Sequence, residues 1–346
     1  MKTPAAAPRS GNSKNPGRTF RLFLLSPLLL ALAACGNGNL FNGVGGNGTG
    51  TLQGAKTTAL QYIANGNYSG AAGAISPYCP NNACPDTASA NILTDSYIAL
   101  GTASGSTYVA ASSILVASSS GSYVGTNQIV SNLISLAQNG ATASQTFNAI
   151  AQVVPCIQTN QCTSTGIADL LTALEVQINS GCTVSACDPN MVSMYALAAA
   201  VYVLANLQYQ TGLTYISGTW ELCTASGGGT SSCTSSLSTI SLTTPSSSIN
   251  NDCWLLFSGL SGASGACGTP TLPANPPSLA SVVATIATTL GTSSVNLTNS
   301  LNQLLNAIIT CNSACSTTNS SSTPTSVPNI NFSTALSNYL KDIQTF

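Results

Sequence analysis

The sequence predicts an all-α body, built of helical hairpins and carrying a disulfide-pinned irregular insertion. Three observations lead there. Apolar residues recur at three- and four-residue spacing through most of the chain beyond residue 55, the period of one helix face. A stretch dominated by Ser, Thr and Gly, residues 213–276, interrupts that pattern. Twelve of the thirteen cysteines fall along the chain as six close pairs, which reads as a set of local staples.

Residues 1–34 form the leader. Five of the seven basic residues (Lys2, Arg9, Lys14, Arg18, Arg21) precede the apolar run that starts at Leu22, and no acid lies among them. The run ends in Leu32-Ala33-Ala34-Cys35-Gly36. A basic start, a short apolar core and small residues before a cleavage point make an export signal, too short to span a membrane. The Leu-Ala-Ala-Cys ending resembles the lipobox of bacterial lipoproteins. That resemblance implies cleavage before Cys35, lipidation of Cys35 and anchoring to a membrane through its acyl chains. One chain anchors marginally and several anchor stably. Gly36, where an Asp favours inner-membrane retention in the Gram-negative members, implies the outer membrane. Residues 35–54 then read as the lipidated Cys and a flexible Gly/Asn linker, with a reach of roughly 25 Å.

Residues 55–212 carry the main helical pattern. Leu60, Ile63 and Ala64 share one face, as do Ile167, Leu170, Leu171, Leu174 and Ile178. Asp86 and Asp188 stand just before helical runs, where a carboxylate accepts orphan N–H groups, and Pro189 fits a first helical position. Met191 to Gln210 is nearly apolar and reads as a central buried helix; Ser193, Asn206, Gln208 and Gln210 argue against a second membrane span.

A short echo occurs in this region: Tyr62-Ile63-Ala64-Asn65-Gly66 returns as Tyr97-Ile98-Ala99-Leu100-Gly101. With Tyr68, Ala71 and the Pro80-Asn81-Asn82 turn, the first copy resembles a tetratricopeptide helical hairpin, and the offset is close to that family's period. The resemblance implies that Gly66 separates two helices, that Tyr62, Tyr68 and Ala71 pack the hairpin, and that Tyr97 and Gly101 repeat the arrangement. The second copy departs from the pattern after Gly101.

Residues 213–276 read as an irregular, disulfide-looped segment, with short strands near Thr239-Ile240-Ser241-Leu242 and with Trp220 and Trp254 as anchors into the core. Residues 277–346 return to helix, with stripes at Leu279, Val282, Val283, Ile286 and Leu290, then at Leu297, Leu301, Leu304, Leu305 and Ile308. A last amphipathic helix carries Phe332, Leu336, Tyr339, Leu340 and Ile343.

The nearest-neighbour pairing of the cysteines is Cys79–Cys84, Cys156–Cys162, Cys182–Cys187, Cys223–Cys233, Cys253–Cys267 and Cys311–Cys315. Each short loop would contribute about 2 kcal/mol or slightly more in the chain-entropy account, and such bonds persist in exported proteins. Structural zinc is the rival reading, but it wants tighter Cys spacing and His ligands, and the chain contains no His.

Beyond the leader only Lys56 and Lys341 are basic, against eight acids, where an ordinary domain has about a quarter of its residues charged. Two distant lysines make no nucleic-acid patch. The lack of His removes the Ser-His-Asp, Cys-His and histidine-zinc arrangements. A paired-carboxylate glycosidase using Glu175 and Glu221, or an Asp, is the one catalytic reading left, and nothing else supports it. The sequence therefore points to no enzyme, no cofactor and no metal. It points to a membrane-anchored envelope protein that binds other envelope proteins, with an acid-tolerant surface coat as the alternative.

Overall fold

The computed structural model describes residues 50–105, 151, 154–183, 187–224, 232–242, 247–273, 276–282, 295–312, 315 and 322–342. Cys35, the leader, most of the linker and residues 106–150, which follow the second echo, lie outside them, as does Ile343. So do the stripe residues Val283, Ile286 and Leu290.

Neutral caps start the first helices. Helix α1 (Leu52–Ala64) opens on Thr51, whose hydroxyl accepts from the Gly54 N–H at 3.2 Å. It therefore takes in Leu52, Gln53 and Gly54, which the sequence assigned to the linker. Helix α2 (Tyr68–Ile75) opens on Asn67, whose side-chain oxygen accepts from Gly70 N–H at 2.9 Å. Two 3-10 turns, Ser76–Tyr78 and Pro80–Asn82, follow. Helix α3 (Thr87–Gly101) opens on Asp86, as its position predicts, with the carboxylate accepting from Ser89 N–H at 2.8 Å. After a single turn, α4 (Pro155–Gln158), helix α5 (Ser164–Asn179) opens on Thr163. Each cap satisfies an N–H that the helix leaves without an internal partner.

Helix α6 (Pro189–Thr211) is the predicted central element. Apart from Ser193, whose burial is not described, every residue from Met191 to Gln208 is buried; Tyr195 and Tyr202 are fully so. A helix apolar on all sides belongs in a core. Two of its polar exceptions are partnered: the Tyr195 hydroxyl donates to Pro277 O at 2.6 Å, and Gln208 Oε1 accepts from Cys162 N–H at 3.0 Å. Among the described residues no helix is long and apolar enough to cross a membrane.

The fold is mostly helical, and it also holds a small sheet that an all-α reading omits. Strands β1 (Leu213–Ile216), β2 (Thr219–Thr224) and β3 (Ser232–Thr234) pair antiparallel in chain order. Gly212 makes the change of direction. It has φ of 74°, and a Cβ there would lie 2.2 Å from Cys223 O, so no other residue fits between α6 and the sheet. Ser217 and Gly218 then turn the chain with φ of 51° and 92°, the left-handed pair that matches strand twist in a two-residue hairpin. Tyr215 faces Trp220 across the ladder with ring centroids 5.0 Å apart.

The rest of the segment read as irregular is also partly regular. Helices α7 (Ser247–Phe257) and α8 (Ala263–Cys267) lie within it. Thr239 to Leu242 form no strand; Ile240 and Leu242 are buried from a loop, and the Leu242 N–H donates to the Ser337 hydroxyl at 2.9 Å. Trp220 is buried, whereas Trp254 is half-buried and its ring N–H donates to Gly268 O at 2.9 Å. Helices α9 (Val295–Thr310) and α10 (Phe332–Asp342) complete the described elements, and Phe332 meets Phe257 edge to face at 6.1 Å. The α10 face carrying Phe332, Leu336, Tyr339 and Leu340 is buried in the core.

Candidate functional site

The residues of the echo do not act alike. Gly66, with φ of 71°, sits between α1 and α2 as the resemblance implies, and Tyr68 and Ala71 are buried. Tyr62 is not: it is 37 % exposed, in the last turn of α1, although its spacing puts it on the face that carries buried Ala55 and Ala59. Tyr97 is half-buried on α3, and burial pushes its hydroxyl pKa up, with the nearby Asp169 charge adding to the shift.

Gly101 has a different task from a hairpin turn. It ends α3 against α5, where a Cβ would lie 2.7 Å from Gly166 O and 2.5 Å from the Leu170 side chain. The relation is mutual, since a Cβ on Gly166 would lie 2.7 Å from Gly101 O. Two glycines thus let the backbones of α3 and α5 touch. Along the same seam Gln177 donates to Asn91 Oδ1 at 3.1 Å and to the Thr94 hydroxyl at 2.8 Å.

The Pro80–Asn82 turn docks on the other end of α5. Asn82 Nδ2 donates to Glu175 Oε2 at 2.9 Å, Asn179 Nδ2 donates to Asn81 O at 2.9 Å, and the Cys84 N–H donates to the Ser180 hydroxyl at 2.9 Å. Asn81 and Asn82 both adopt positive φ, which Asn tolerates well. Glu175 is therefore a docking residue of this turn. Glu221 sits on β2 opposite Thr214, so the two glutamates occupy separate elements.

All twelve cysteines of the six pairs are bonded to their sequence neighbours. Cys79–Cys84 closes the docked turn, and Cys223–Cys233 joins directly opposed residues of β2 and β3. Among the described residues no group of three or more His, Cys, Asp or Glu comes together to hold a metal ion.

A polar pair lies inside the apolar body, between α6 and α7. Asp252 is 0 % exposed, and its Oδ2 accepts from Asn206 Nδ2 at 2.7 Å. Asn206 Nδ2 also donates to Ser248 O at 3.3 Å. The remaining oxygens, Asp252 Oδ1 and Asn206 Oδ1, are both buried without a hydrogen-bond partner. Burial holds the Asp252 carboxyl well above the usual carboxylate range, against the opposing effect of the Asn206 hydrogen bond. Beside it, Asn251 Nδ2 donates to the Tyr202 hydroxyl at 3.3 Å and to the Thr271 hydroxyl at 2.7 Å. A small apolar cavity of about 30 Å³ lies elsewhere in the core, against Leu207, Trp220, Leu304 and Tyr339.

Of the two acids that the sequence places before helical runs, Asp86 is the one whose capping hydrogen bond is described. Asp252 had a signal: Ile249, Leu255 and Leu256 flank it at helical spacing, so it occupies an apolar stripe. No protein-family model matches this chain, and neither a curated protein nor a solved structure matches it.

Proposed function

We propose that this chain is a lipid-anchored, non-catalytic envelope protein whose helical body binds other envelope proteins during assembly or transport. One observation carries the reading. Twelve of the thirteen cysteines are consumed in local disulfides, and the thirteenth, Cys35, directly follows a leader whose ending resembles a lipobox. That is the cysteine usage of an exported protein with one thiol reserved for modification. The α1–α2 hairpin around Gly66 supports a tetratricopeptide-like binding body, with α3 as the first helix of a second copy. Tyr62, unused by the core, is an aromatic contact that such a surface offers a partner.

The test is fractionation and crosslinking in the native envelope. Wild-type protein should partition with membranes, and Cys35→Ser should remain an uncleaved precursor or appear soluble. A Cys35→Ser protein that stays with membranes after losing its leader would refute the anchor. Crosslinking that recovers no envelope protein with the wild type would refute the binding body.

A second reading, a surface coat suited to acid, has its own support: helix ends and buried seams are satisfied almost wholly by neutral groups. Among the described residues the one ion pair is Lys56 with Asp86, at 3.0 Å.

A further inference from the structure

The Asn206–Asp252 pair is short of one proton. Both hydrogens of Asn206 Nδ2 are in use, one on Asp252 Oδ2 and one on Ser248 O. Those two acceptors fix the amide orientation, since a flipped amide would turn its oxygen towards a carbonyl and a carboxyl oxygen. Asn206 Oδ1 is then left needing a donor. Its bonded partner, Asp252, presents a second buried oxygen that is also unpaired. An ionised carboxylate only accepts, so it satisfies neither orphan. A carboxylic acid does both: a proton on Oδ1 donates to Asn206 Oδ1 while Oδ2 keeps the N–H, and an eight-membered acid–amide ring closes.

We infer that Asp252 is carried as the neutral acid and that its ring with Asn206 is a proton-operated clasp between α6 and α7, firm in acid and loosened as the pH rises. No countercharge offsets ionisation. The influences on Asp252 are burial first and the Asn206 hydrogen bond second, and the one ion pair among the described residues is Lys56–Asp86. From α6 the titratable neighbour is Tyr202, whose own pKa is raised by burial and then by the Asp252 charge; Asn251 beside it is neutral. What α8 and residues 268–273 bring against the rest of α7, through Cys253, Trp254, Asn250 and Asn251, is the Cys267 disulfide, Gly268, Thr269 and Thr271, none of them titratable.

The sign follows from linkage. The folded-state pKa lies above the unfolded value of about 3.9, so the contribution is complete below that value and is lost as pH rises through the folded pKa. Within that window the native state holds one more proton than the unfolded state, so the unfolding constant grows about tenfold per pH unit. The clasp does not depend on which partner the body binds.

Urea unfolding of the whole disulfide-bonded body between pH 4 and pH 8 tests it. In Asp252→Asn a second amide replaces the acid, keeps both hydrogen bonds and cannot ionise. This variant should lose the roughly tenfold-per-unit slope and match or exceed the wild type at pH 8. A slope unchanged by Asp252→Asn overturns the clasp, and so does a wild type with no slope. Infrared spectroscopy of the folded wild type at pH 6 supplies a readout that needs no variant to fold. It should show the carbonyl band of a protonated carboxyl, and Asp169→Asn should retain that band. Absence of the band, or its loss in Asp169→Asn, assigns the proton elsewhere and overturns the proposal.

Discussion

Replacing Gly101 by Ala should destabilise the body, although Ala is the better helix former. The new Cβ would lie 2.7 Å from Gly166 O and 2.5 Å from the Leu170 side chain. Leu170 is fully buried and has little room to turn away, and a backbone oxygen cannot. Helices α3 and α5 must therefore part by several tenths of an ångström. Overpacking of this kind costs about 1–3 kcal/mol, against a gain of about 0.5–1 kcal/mol from removing a helical glycine. The net loss is about 1–2 kcal/mol. At about 2–4 °C per kcal/mol the thermal midpoint falls by several degrees. Gly73→Ala is the control. Gly73 lies inside α2, is exposed, and a Cβ there would meet nothing within 4 Å. That variant should gain about 0.5–1 kcal/mol. The same substitution thus gives opposite signs at two helical glycines. Midpoints moving in the same direction for both would show that propensity, not the α3–α5 approach, decides, and the close-contact argument would be wrong.

Asp86 should respond to acid in the opposite sense to Asp252. Burial pushes its pKa up, but the Ser89 N–H and hydroxyl and the Lys56 ammonium outweigh this and leave it lowered. Its stabilisation is present above the unfolded value and is lost as pH falls through the folded one, so Asp86→Ala should cost about 1 kcal/mol at pH 7 and little at pH 2.5; an equal cost at both pH values contradicts this. Because the roughly 1 kcal/mol lost at Asp86 is opposed by the Asp252 clasp, which gains about tenfold per pH unit as the pH falls through its window, the wild-type thermal midpoint should not fall between pH 7 and pH 2.5, and cooperative unfolding above pH 3 at room temperature would defeat that expectation. Replacing Cys253 and Cys267 together by Ala should cost about 3 kcal/mol, the chain-entropy value for a loop of this length; urea midpoints equal to wild type would show that the bond constrains nothing.

What was legible in the sequence was the short-range part. The periodic runs that became α5, α6 and α10, the cap at Asp86 and the cysteine pairs all depend on residues a few places apart, where spacing carries the information. What was hidden depends on long-range approach or on context. Gly101 could be seen as a glycine near a helix end, but its partner Gly166 lies on a different helix. The Ser217-Gly218 turn is a good hairpin signal, with Tyr215 and Trp220 flanking it. It was lost among the many Ser-Gly steps of its surroundings. Asp252 sits in an apolar stripe inside the stretch 213–276, whose Ser, Thr and Gly content reads as irregular and hides the helical spacing. Tyr62 differs the other way: the echo and its spacing from Ala55 and Ala59 both assign it to the core, yet at the end of α1 it is exposed, because spacing gives the face of a helix and not how far its neighbours extend along it.

The neutral caps and seams bear on how such a molecule meets anything else. Long-range attraction guides encounters only where charge of one sign is gathered, and raises association rates well above the unsteered value of about 10⁵–10⁶ M⁻¹ s⁻¹. With two basic residues beyond the leader and eight dispersed acids, this body has almost no such guidance to offer. Collisions with a partner then proceed at the unsteered rate and vary little with ionic strength. On the proposed lipid anchor, frequency of encounter would come from confinement: a body held on a membrane by a short leash would search a thin layer instead of a volume, and the tether would set the local concentration that charge does not.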